Sequence, residues 1–145
     1  MPRLPLSPAR PTVTNTIATR RSALRSGVLA INGLKAAIAI VFLVHPSAMD
    51  AWIGPTAQAH GGRVLLRSFG ARDLALALGA MTARDVRARR CWLVAGAASD
   101  LVDSAATLAA ARRARQELGP LSTLTAAWAA ASGVSCLVLA AVVSE

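Results

Sequence analysis

The chain has 145 residues, of which 54% are hydrophobic and only 16% charged, with a mean hydropathy of +0.49. Soluble domains usually carry about 25% charged residues, so this composition points to an integral membrane protein. The net charge is +9, from 15 arginines and one lysine against seven acids. The arginines sit at the ends of apolar runs, as membrane topology places them, so nucleic acid is not an expected partner.

Residues 1–26 hold Arg3, Arg10, Arg20, Arg21 and Arg25, several prolines, and no acid. With no apolar core of its own, this segment is expected to be a flexible basic tail. The same composition also suits an organelle transit peptide. Residues 27–44 form the first apolar run, long enough to span a bilayer and interrupted by Asn32 and Lys35. His45-Pro46 ends it, because a residue before proline resists helix. Residues 47–62 form a loop with Pro55 and Gly61-Gly62 as breakers, and Trp52 is placed at the headgroup level.

The second helix is predicted over 63–81. It is apolar enough to cross a membrane, yet it contains Arg67, Arg72 and Asp73. A basic link with Arg84, Arg87, Arg89 and Arg90 leads to a third helix over 91–111, which carries Asp100 and Asp103. Arg112, Arg113, Arg115 and the Gly119-Pro120 turn follow, and a fourth helix over 121–143 contains no ionisable side chain other than the thiol of Cys136. The expected fold is therefore all-α, an integral membrane four-helix bundle with short connections. Tail and second link together hold nine arginines, which places both termini in the cytoplasm. Arginine over lysine, abundant alanine and no tyrosine suit a bacterial protein, hence an inner membrane.

At about 1.5 Å per residue, Lys35, Arg72, Asp73 and Asp100 fall near the midplane, with Arg67 and Asp103 in a layer just outside it. The bases (Lys35, Arg67, Arg72) equal the acids (Asp73, Asp100, Asp103) in number. A charge without a counter-ion in lipid costs several kcal/mol, so pairing inside the bundle is expected. Adjacent residues lie about 100° apart on a helix. Arg72 is therefore expected to reach Asp100 or Asp103, and Asp73 to reach Lys35 or Asn32, or the reverse. Ser104 continues the polar stripe of the third helix through Gly96, Asp100, Asp103 and Thr107. Small residues at Ala71, Ala75 and Gly79, and again at Ala126, Ala130 and Ser132-Gly133, suit close helix packing or contact between copies.

Three functions fit these features. One is a binding or transport-accessory module for a small lipophilic molecule. A second is a structural or partner-binding subunit, with a homo-oligomer as one form. A third is an isomerase-like enzyme using Asp100 and Asp103 as an acid–base pair, although no catalytic set is identifiable. No cofactor motif occurs. His45, His60 and Asp50 flank the first loop, and the histidines are read as exposed rather than as metal ligands. Cys91 and Cys136 show no C-x-x-C spacing and are read as small buried residues.

The segment GARDLALALG at 70–79, followed by Asp100 and Asp103, resembles the small four-helix bacterial membrane proteins of unknown function near the DoxX-like superfamily. The similarity covers about 27–143. It implies a compact four-helix bundle, and it singles out Gly70, Arg72 and Asp100 within the set Asn32, Lys35, Arg67, Gly70, Arg72, Asp73, Asp100, Asp103 and Ser104.

Overall fold

A computed structural model describes residues 13–50, 60–113 and 120–143. Four α-helices and one short 3-10 turn make up these residues: α1 Val13–Val44, the turn Pro46–Met49, α2 His60–Thr82, α3 Val86–Arg113 and α4 Pro120–Val143. The described residues are all-helical, and among them three helices contain stretches long and apolar enough to cross a membrane: Arg21–Val44, Val86–Ala110 and Thr123–Val143. α2 is 23 residues long, about 35 Å, and differs in its charge, with Arg63, Arg67, Arg72 and Asp73.

The helix ends follow local chemistry. α1 stops at Val44, before His45-Pro46, and Pro46 opens the 3-10 turn. Pro120 is the first residue of α4, the position where its missing N–H costs nothing. α3 starts at Val86, not at 91, because Asp85 caps it: Asp85 Oδ1 accepts a hydrogen bond from the Ala88 amide at 2.7 Å, as an N-cap carboxylate does. α1 starts at Val13 and not at 27, so residues 13–26 are helical and not a tail. Past Pro11 this stretch has no proline, and it holds good helix formers such as Ala18, Ala23, Leu24 and the arginines. Residues 1–12, the loop with Trp52, and the Gly119 turn lie outside the described residues.

α1 packs along α2, and α3 along α4; α2 also meets α3, and α1 meets α4. Consecutive helices are thus neighbours, and α1 and α3 face each other across the diagonal. The core is built from small residues. Val28, Ala80, Leu93, Ala97, Cys136 and Ala140 form one cluster, one contribution or more from each helix. Close approach replaces bulk. At Gly70 a β-carbon would lie 2.7 Å from the Ala39 carbonyl oxygen and 2.9 Å from Phe42 Cβ. At Gly133 it would lie 3.2 Å from the Ala97 carbonyl oxygen and 3.3 Å from Asp100 Cβ. Glycine at these crossings lets α2 rest on α1, and α4 on α3.

Candidate functional site: a sealed ion pair and an open ionic triad

The charged groups on α1, α2 and α3 gather at mid-height. Val28 and Leu93 share the core cluster, and Lys35 and Asp100 each lie seven residues further along helices that run the same way. They therefore reach the same depth. Lys35 Nζ lies 2.7 Å from Asp100 Oδ2, with the two side chains 6% and 8% exposed. α1 and α3 are diagonal, so the lysine stem spans the centre of the bundle. Gly96 lies beside it: a β-carbon there would stand at ordinary contact distance, 3.7 Å, from Lys35 Nζ. This pair is fully sealed from the surroundings.

The second group differs. The Arg72 guanidinium grips Asp103 through two hydrogen bonds, Nη2 to Oδ2 at 2.5 Å and Nη1 to Oδ1 at 3.4 Å. Its Nε also donates to Asp73 Oδ1 at 3.1 Å, and the Phe69 ring centre lies 5.1 Å from the guanidinium carbon. Here the side chains stay 35% exposed for Arg72, 24% for Asp73 and 36% for Asp103. The triad thus opens on the α2–α3 side of the bundle, and it carries two carboxylates against one cation.

Arg72 reaches Asp103, one of its two expected partners. The expected bond from Asp73 to Lys35 or Asn32 is not formed. Asp73 bonds to its neighbour Arg72, because a long arginine folds back across the 100° between adjacent residues. Lys35 takes Asp100, and Asn32 donates to the Val28 carbonyl oxygen in its own helix at 2.9 Å. Arg67 is exposed and does not form the expected layer with Asp103. It lies about 140° around α2 from Arg72, on a different face. Ser104 is buried, and its hydroxyl contacts the Asp100 carbonyl oxygen at 2.9 Å and the Ala126 carbonyl oxygen at 3.1 Å, tying α3 to α4. Gly70 serves the α1–α2 crossing and not the charges.

Asp100 and Asp103 share a face of α3, but different cations on different helices hold them. Cys136 is buried as expected, whereas Cys91 is exposed; it follows the four-arginine link near the start of α3, where the bundle ends. His45 and His60 are exposed, and His45 Nε2 lies 3.4 Å from Ser47 Oγ. Three features escaped the sequence reading. Phe69 under Arg72 was legible as an i, i+3 pair. The Asp85 cap was legible from residue type. The buried Ser132 hydroxyl, without a hydrogen-bond partner in the structure, had no signal beyond its place in a small-residue row.

No family model matches the chain, and neither a curated protein nor a solved structure matches it.

Proposed function

We propose that the protein is an integral membrane four-helix bundle that binds a small amphipathic molecule, or helps to move it, at the Arg72–Asp73–Asp103 triad. The observation that carries this reading is the contrast between the two ionic groups. A pair that only sets helix register can be sealed, as Lys35–Asp100 is, at 6% and 8% exposure. The triad is left about one-third open at the height where hydrocarbon would surround it. Ionisable groups at that depth mark a functional site by default. An open face of this kind offers a guanidinium and two carboxylates to a polar head, while the exposed Val102 and Leu65 nearby offer apolar surface to a tail.

The proposal includes a bacterial inner membrane, both termini in the cytoplasm, and kinship with DoxX-like proteins through residues 70–79. Its test is mass spectrometry of organic extracts from the purified protein. A small molecule that copurifies with the wild type and with the double variant Lys35→Met, Asp100→Leu, but is lost from Asp103→Asn, is the expected result. Identical extracts from all three proteins would contradict it. Reporter fusions at the two ends are expected to read cytoplasmic; an outward C-terminus would overturn the topology.

A second reading has its own support. Ala71 and Ala75 on α2 are exposed, whereas Gly79, one turn on in the same row, is covered by the Trp92 ring. Part of this small-residue row is therefore unused within the chain and suits a second copy that would also cover the triad. Disulfide cross-linking of Ala75→Cys, in a background with Cys91→Ser, distinguishes the two readings.

A further inference from the structure

The end of the bundle where α1 begins carries a separate concentration of charge. α1 runs opposite to α2 and α4, so the first turns of α1, the α2–α3 link and the last turn of α4 share this end. Gly27 marks its level, since a β-carbon there would touch Leu139 at 3.4 Å.

On α1, the buried residues Val28, Asn32, Lys35 and Ala39 define the face turned into the bundle. Arg21 and Arg25 continue that face toward the N-terminus, seven and three residues before Val28. Both are nevertheless exposed. The bundle has ended at this level, and the inward face of α1 overhangs it. Arg84, Arg87, Arg89 and Arg90 belong to the same end. Arg89 is engaged with the Ala83 carbonyl oxygen. Asp85, the one acid of this end among the described residues, spends Oδ1 on capping α3.

Among the described residues, six guanidinium groups thus share this end with a single carboxylate, which already serves as a helix cap. All three apolar stretches also reach their limits here, at Arg21, Val86 and Val143. In a membrane this is headgroup depth. The planar donor array of arginine matches phosphate oxygens in pairs, and basic clusters next to spans attract anionic lipid.

We infer that this end is a binding site for the phosphates of anionic phospholipids, with Arg21 and Arg25 on the overhanging face of α1 and Arg84 on the α2–α3 link as donors. It rests on the reading of the chain as membrane-embedded, and it is independent of any ligand at the Arg72 triad.

The test uses the full chain purified in mixed micelles holding equal amounts of phosphatidylglycerol and phosphatidylcholine, with retained lipid counted by native mass spectrometry. The wild type is expected to retain phosphatidylglycerol in preference. Each arginine is worth about a five-fold change in that preference. The triple variant Arg21→Gln, Arg25→Gln, Arg84→Gln should lose it, the triple lysine variant should keep most of it, and Asp103→Asn should leave it unchanged. Excess inorganic phosphate should not displace the lipid. Equal retention of both lipids by the wild type overturns the site, as does an undiminished preference in the glutamine variant, or displacement by free phosphate or by a short RNA. Recovery of the protein from the soluble fraction of cells overturns the membrane reading as well.

Discussion

Lys35 and Asp100 show what one long side chain does in a core of small residues. Their backbones lie on diagonal helices, and the four-carbon lysine stem carries Nζ to within 2.7 Å of Asp100 Oδ2. Removing one partner leaves a buried charge, which costs roughly 3–5 kcal/mol. Lys35→Ala is therefore expected to lower the thermal midpoint in detergent sharply. Lys35→Met combined with Asp100→Leu should recover most of the loss, because no orphan charge remains. Equal losses in the single and double variants would exclude the pairing. The Arg72–Asp103 pair is about one-third exposed, and at this depth hydrocarbon faces it, so water and salt screen it little. A double-mutant cycle there is expected to give a coupling of about 1 kcal/mol or more. Additive losses would exclude the contact.

Helix identity and helix ends have separate causes. The apolar runs made four helices legible, and Pro46 and Pro120 marked two of the ends within a residue. The start of α3 was missed because the run of arginines at 87, 89 and 90 reads as a link. Arginine is in fact a good helix former, and Asp85 caps the turn that contains them. Asp85→Ala is expected to cost about 1 kcal/mol, and amide exchange should rise in residues 86–90 alone; exchange spread evenly along α3 would argue against a cap. Contact between helices rests on the crossings. Gly70→Val would drive a side chain into the Ala39 carbonyl and Phe42. Overpacking of this kind costs about 1–3 kcal/mol. Val64→Ala on the exposed face of α2 should cost far less, and equal midpoints for the two variants would remove the close crossing from the account.

At the level of the whole molecule, the bundle is a ring of neighbours with one overhanging helix. α1 is 32 residues long against 24 for α4, so its first turns pass beyond the packed region. Opening free energy is low where few contacts cover the backbone. Amides of residues 20–26 are therefore expected to exchange faster than those of 28–40 in the same helix. Equal protection along α1 would mean that the overhang is covered. The ring also explains which ionic partners meet. Neighbouring helices α2 and α3 share a bidentate contact, whereas the ionic contact between diagonal α1 and α3 runs through the long side chain of Lys35.

By itself, the sequence determined the helical class, the spacing of apolar runs, the depth of Lys35, Arg72, Asp73 and Asp100, and the need for those charges to pair. Apolar periodicity, proline and a fixed rise per residue act within one helix, so they can be read along the chain. Only the tertiary structure decided who pairs with whom. Depth does not specify rotation about the helix axis, and rotation is what turned Arg67 outward, sent Lys35 to Asp100 and not to Asp73, and left Arg72 to hold two carboxylates. It likewise decided that one ionic group would be sealed and the other left open, because exposure depends on which helix stands beside each side chain. The overhang of α1 has the same origin: its arginines are plain in the sequence, but whether the bundle continues beside them is a property of the other three helices.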